Sequence, residues 1–337
     1  MNILKLSGIS VNKGFTLVEL MISIVLGAII TAGLISVFLS NQQSYRTNQG
    51  LSEVQEGTRT AFELMARDIR TAGLTGCVNN NRVANVLVNS STVWWENWSN
   101  PVMGYDNGIT DPAVTTGTST GDRLAGTDSI AILSTEGTGL SVQSHNPTSA
   151  QFKLNETSSD LQSGDLIVVC DPDHAAIMQI TNYNNSNVTL VHNTGTGSPG
   201  NCSKGLGFPT DCSSVNGNQY SYGSNAQIGR IAAADWYVGV NAQGGSSLFR
   251  TSLVTNAGSV TVSPVSNEMI RNVTNMQITY LETGSPNFVN AASVVNWANV
   301  TAARVVLTLV SENNVTVNNT PLTRTVTSTT TIRNRVD

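Results

Sequence analysis

The sequence is short of charge. Asp, Glu, Lys and Arg together make up 12% of its 337 residues, roughly half the share usual in soluble proteins. The formal net charge is −5 and the cations form no long basic run, so no positive field invites nucleic acid and no direct nucleic-acid binding is expected. Histidine is equally scarce: His145, His174 and His192 are too scattered to form a triad or a metal site. None of the four cysteines lies in a CxxC pair or at zinc-finger spacing. No long internal repeat is present, which sets aside a repeat architecture. What the chain has instead is Ser, Thr, Asn and Gly, the uncharged polar texture of extracytoplasmic β-rich proteins rather than of cytosolic enzymes. With 39% apolar residues it is long enough for a real core, in one large or two modest domains.

Long apolar runs are also absent, with one exception. Phe15 to Leu39 is apolar or small almost throughout and holds one ionisable side chain, Glu19. As a helix it would extend about 37 Å, enough to cross a hydrocarbon layer of roughly 30 Å with some tilt. Lys5 and Lys13 precede it and no basic residue follows until Arg46, which places residues 1–14 in the cytoplasm and the bulk of the chain outside. A secretory signal has a shorter apolar core and a cleavage site after it; here the small residue suited to cleavage, Gly14, comes before. A carboxylate in a membrane helix costs about 2.5–3.5 kcal/mol on insertion scales and so marks a partner or a function. If the Gly14–Phe15 bond is cut, the new ammonium of Phe15 on one subunit is a natural partner for Glu19 on the next.

Residues 41–72 continue as an amphipathic helix. Leu51, Val54, Ala61, Phe62, Met65, Ile69 and Ala72 recur every three or four residues, with charges largely opposite; Gly50 and Gly57 weaken it locally and Gly73 and Gly76 end it. The apolar stripe is expected to pack on a β-sheet. Beyond Cys77 the pattern predicts strands at 83–88, 128–134, 165–171, 175–181, 187–192, 233–240, 247–254, 269–281, 303–310 and 323–332. Loops are expected near 110–126, 139–150 and 194–229. The fold class is therefore α+β: a helix over 15–72, membrane-spanning at about 15–39, on a large antiparallel β-rich domain spanning 73–337. Cys77, Cys170, Cys202 and Cys212 are disulfide candidates; 202 with 212 would close a small loop and leave 77 with 170, but spacing alone leaves the pairing open.

Several motifs carry no chemistry in their context. Gly117-Thr118-Ser119-Thr120-Gly121 matches a nucleophile elbow without its strand and helix, and Gly195 to Gly200 matches GxGxxG with no helix to follow. Asp171 and Asp173 flank Pro172 and read as a turn rather than a calcium loop. Trp94, Trp95 and Trp98 read as core or interface packing. No catalytic residue, cofactor or metal ligand is expected.

The run Lys13-Gly14-Phe15-Thr16-Leu17-Val18-Glu19-Leu20 resembles the class III signal of type IV prepilins and type II secretion pseudopilins. That resemblance implies cleavage after Gly14 by a membrane prepilin peptidase, N-methylation of Phe15, and an assembly role for Glu19. Residues 67–77, the run from Cys170 to Thr181, and Thr330 to Arg335 look like the PilW family of minor type IV pilins, itself similar to the J-type pseudopilins of type II secretion. It implies a type IV pilin-like fold. The implied partners are other minor and major pilins, the peptidase, the inner-membrane assembly platform and a tip adhesin. The location would be the inner membrane, then the pilus, and the role the initiation of the fibre. The alternatives are a J-type pseudopilin and, in another class, a membrane-anchored periplasmic enzyme or binding module.

Overall fold

The computed structural model describes residues 14–77, 82–256, 258–316 and 318–335; of the leader expected at 1–14, all but Gly14 lies outside the described residues. A single helix, α1 (Leu17–Thr71), leads the chain. The strands that follow are β1 (Val83–Asn85), β2 (Val102–Tyr105), β3 (Ser129–Asn146), β4 (Gln151–Leu154), β5 (Leu166–Cys170), β6 (Ala175–Gln179) and β7 (Asn182–Asn184). They continue with β8 (Thr189–Val191), β9 (Gln227–Val240), β10 (Ser246–Asn256), β11 (Thr261–Arg271), β12 (Val273–Glu282), β13 (Val300–Asn314) and β14 (Pro321–Thr331).

The strands form two sheets. The first contains β1 to β11, with β9 at its centre pairing β3, β5 and β10; the second is the antiparallel sheet β12-β13-β14. Every described strand pair is antiparallel except β1 with β6. The period of two along β9 divides the interior. Ala234, Trp236 and Val238 face α1 and β12–β13, while Ile231 and Ala233 face β5, β6 and Trp95 on the other side. A third cluster, around Phe152, Ile167, Met178 and Leu190, fills the corner where β4 and β8 meet β5 and β6.

Helix α1 joins the first core through Gly50, Val54, Thr58, Ala61, Met65 and Ile69, spaced by three or four residues and so aligned on one face. Its two glycines have a different role from the local weakening the sequence suggests. A Cβ on Gly50 would lie 2.8 Å from Val315 Cγ2, and one on Gly57 3.3 Å from Leu309 Cδ2; the helix is continuous, and Gly lets the β13–β14 hairpin approach its backbone. Asp68 bolts the helix to the first sheet, its Oδ2 accepting from Trp236 Nε1 and Arg250 Nε, both at 2.8 Å.

Two further expectations are corrected, and three strands were not expected. The strand predicted at 269–281 is two strands, β11 and β12, because Asn272 takes φ +61°, a left-handed conformation that Asn tolerates better than most residues, and turns the chain from one sheet into the other. The loop predicted at 139–150 is instead strand through Asn146, since β3 continues past a register shift near Gly137 to pair with β4. β2, β4 and β7, of three or four residues each, were too short to read from alternation.

Candidate functional site

The start of α1 is built from its sequence outward. Thr16 is the N-cap, in extended conformation, and its hydroxyl accepts from the Glu19 amide at 3.3 Å. The Thr16 amide (3.1 Å) and hydroxyl (3.0 Å) both donate to Glu19 Oε2. This is a reciprocal capping box, which satisfies backbone donors that a helix start otherwise leaves open. Glu19 is therefore more than a charge awaiting a neighbour: Thr16-Leu17-Val18-Glu19 has the T-x-x-E spacing that signals this local partner. Gly14 is exposed with nothing near it, and Phe15 is 84% exposed. Among the described residues, nothing covers the bond between them.

Exposure continues along the helix. Leu17, Leu20, Ile24, Ile29, Leu34 and Phe38 are each more than half exposed, and the apolar window of α1 has no buried residue. An apolar surface this long is not stable in water and calls for a lipid or helical surround. Two hydroxyls within it are already engaged: Ser23 Oγ donates to the Glu19 carbonyl and Thr31 Oγ1 to that of Gly27, each at 2.7 Å. The globular domain first touches the helix at Gln43 and Thr47, whose side chains donate to the Val315 carbonyl at 2.6 and 2.7 Å.

The cysteines are joined as Cys77–Cys170 and Cys202–Cys212. The first ties the chain just past α1 to the end of β5; the second closes a loop beside β1, where Thr210 Oγ1 accepts from the Asn85 amide at 3.0 Å.

The remaining sequence motifs fall in structural settings. Ser119 lies in a loop whose amide is capped by Asp122, with no helix behind it. Gly197 and Gly200 have positive φ and shape a turn whose Gly200 amide meets buried Gln179 Oε1 at 2.7 Å. Asp171 Oδ1 accepts from the amides of Asp173 and His174, an Asx-type turn. Trp95 is buried beneath β3, β5 and β6, with Trp94 and Trp98 packed at its edge. Among the described residues, no group of three or more His, Cys, Asp or Glu side chains could hold a metal ion.

One juxtaposition escaped the sequence. His145 and His192, scattered in the chain, meet with Nε2 atoms 3.3 Å apart, and His145 stacks on Phe152. Strand register does this, since β4 pairs both β3 and β8. Burial lowers the His145 imidazole to about 4 and that of His192 to about 3. The Tyr222 amide donates to His145 Nδ1 at 3.2 Å, so both rings are held neutral. Elsewhere Glu96, buried with an unpartnered oxygen, is pushed by burial up to about 8.

Comparison with known families places this geometry. Residues 9–35 match the prokaryotic N-terminal methylation motif, which defines a pilin-type amino terminus. Residues 235–335 match the Type IV Pilus-assembly protein W family, and the two matches together are consistent with a PilW-like, pilin-type protein. Of the three stretches that suggested PilW in the sequence, Thr330 to Arg335 lies within the match; 67–77 and 170–181 lie outside it. No curated protein matches the chain.

Proposed function

We propose that this chain is a minor pilin of a type IV pilus, with a type IV pilin-like fold, anchored in the inner membrane by residues 15–39 with its β domain in the periplasm. Prepilin peptidase cuts it between Gly14 and Phe15 and methylates the Phe15 amine; it then helps initiate the fibre with other minor pilins. One observation carries this reading. The methylation-motif segment begins α1, and the same helix packs along its Gly50–Ile69 face on β13 and β14, within the PilW-matching segment. Two matches far apart in the chain thus meet in one structural unit.

In this reading Glu19 acts twice. Oε2 closes the cap of its own helix, and the carboxylate, exposed in the single chain, is left to meet the Phe15 ammonium of a neighbour. Desolvation of the carboxylate is offset only when that neighbour has the right stagger, so charge selects register. Cleavage is tested by Gly14→Ala, which should leave a full-length precursor on immunoblots; normal processing would overturn it. Fibre initiation is tested by deleting the gene and counting surface pili. Normal piliation together with a loss of protein secretion would favour the pseudopilin alternative.

A further inference from the structure

The second sheet ends at β14 on an open edge. The Ile332 amide donates to the Thr301 carbonyl and the Leu322 amide to Ser311 Oγ, so in the antiparallel register of β14 with β13 the even-numbered residues of β14 bond inward. The amides and carbonyls of Thr323, Thr325, Thr327, Thr329 and Thr331 therefore point away from β13, and β14 pairs with no other described strand. Such an edge is a template for a further strand unless proline, charge or a cover blunts it. β11, an edge strand of the first sheet, is blunted by Pro264, Glu268 and Arg271. β14 has its one proline at its first residue and its one charge at Arg324. Beside the open edge, a groove of about 470 Å³ runs between Leu51, Val54 and Phe62 of α1 and Arg324 and Val326 of β14. No residue of β13 lines it, so it lies on the outer side of β14. Val326 is 37% exposed and Phe62 only partly buried: the apolar surface of the helix is wider than the sheet that covers it.

We infer that β14 and this groove together take an extended strand of another protein chain, antiparallel to β14, with apolar side chains opposite Val326 and Ser328 and a carboxylate opposite Arg324. Outward amides and carbonyls repeating along a strand are complementary to a polypeptide backbone. Side chains opposite Val326 project on its own face, into the groove. The carboxylate follows from the rim. Leu309, opposite Arg324 in register, lies against Gly57, which puts Arg324 at the level of Arg59. Arg324 makes no ion pair among the described residues, and Arg59 meets only the exposed Glu63, so the rim carries an excess of positive charge. A second copy does not fit. β14 starts where the hairpin meets Gly50 and ends toward Gly73, against Asn334, and so runs in the same sense as α1. Two copies anchored in one bilayer would present parallel β14 strands, which cannot pair antiparallel. That exclusion rests on residues 15–39 spanning the membrane; the edge and the groove do not.

The test uses the full chain in detergent micelles and a synthetic Val-Thr repeat peptide, N-methylated on alternate amides so that only one of its edges can pair. The peptide carries a glutamate to meet Arg324, or a lysine in its place, and residue-resolved hydrogen exchange reads the result. The glutamate peptide should slow exchange at Thr323, Thr325, Thr327 and Thr329 roughly tenfold, the factor imposed by a ligand at about ten times its Kd. Arg324, Val326 and Ser328, already paired to β13, should not change. Arg324→Glu should reverse the choice between the two peptides. Thr327→Pro removes an outward amide and should weaken binding several-fold with exchange at Val326 and Ser328 unaltered; if the proline unsettles the sheet, the reversal by Arg324→Glu decides. Unslowed exchange at the four threonines in millimolar peptide overturns the site, whether or not the peptide binds elsewhere. Slowing that grows with protein concentration in the absence of peptide overturns the foreign strand in favour of a second copy.

Discussion

The two halves of α1 share one unbroken hydrogen-bonded backbone and have opposite surroundings. From Leu17 to about Asn41 every side chain is exposed, while from Gln43 to Thr71 one face is sealed by Gly50, Val54, Thr58, Ala61, Met65 and Ile69. The lower half is apolar all round and the upper half apolar on a stripe. A helix apolar on every side is stable only in a nonpolar surround, and a striped one where a sheet covers the stripe. Residue pattern, rather than helix propensity, therefore decides where the domain stops and the anchor begins.

That contrast can be broken by truncation on each side of it. Met65→Ala should cost about 2–5 kcal/mol of domain stability, because it opens a cavity in a close-packed core. Leu34→Ala should cost the domain less than about 0.5 kcal/mol, as expected for a side chain with no packing in the fold. Urea unfolding of the detergent-solubilised chain, followed by tryptophan fluorescence, measures both. Comparable losses would mean that the lower half packs on the domain in solution.

Acid should sharpen the comparison by loosening the molecule away from the helix. His145 and His192 are neutral when folded, with values near 4 and 3, against an ordinary 6.5. The unfolded chain thus binds protons that the folded chain refuses. Their contribution to stability is complete above pH 6.5, falls by up to about 1.4 kcal/mol per unit for each imidazole as pH drops below it, and levels off near the folded values. Hydrogen exchange between pH 7 and pH 4 should show β4 and β8 opening before Val54 to Ile69 of α1. If the helix seam opens first, the two regions are not independent.

A smaller effect separates the upper helix's own charges. Asp68 is half-buried between Trp236 and Arg250, whereas the Arg59–Glu63 pair is open to solvent. Asp68→Ala should cost about 2 kcal/mol, since it leaves two shielded donors unpaired. Glu63→Ala should cost at most about 0.5 kcal/mol, the worth of an exposed i,i+4 pair. The same urea titration ranks them, and an equal cost would show that Asp68 does not anchor the seam.

What could be read in advance follows the range of the interactions. The stripe from Val54 to Ile69 and the apolar run from Phe15 depend on spacing within one element, so both were legible. The glycines were misjudged because Gly50 and Gly57 answer to Val315 and Leu309, more than 250 residues away, rather than to their own helix. The corner at Asn272 was invisible because the alternation runs through it, and the conformation of one residue changes the sheet. The His145–His192 contact depends on the registers of three strands. At the amino terminus the failure was of another kind. The T-x-x-E spacing was in plain view, but the reading of Glu19 as an unpartnered membrane charge left no place for a cap.

That last point yields the subtlest separation, within the lower half itself. As the carboxylate of a capping box Glu19 serves its own helix; as a charge it serves a neighbour in the proposed fibre. Glu19→Gln retains a side chain able to reach the N-cap amide and loses only the charge. Thr16→Ala retains the charge and removes the hydroxyl cap, at a cost of about 1 kcal/mol confined to the first turn. If the charge selects the neighbour, Glu19→Gln should process normally, keep its helix by circular dichroism in detergent and fail to enter fibres, while Thr16→Ala should enter them with little loss. If the cap is what matters, the order reverses, because an unwound first turn no longer holds residue 19 at a fixed height. Counting pili that contain the tagged subunit in the two strains distinguishes the role of Glu19 in its own cap from its role toward a neighbour.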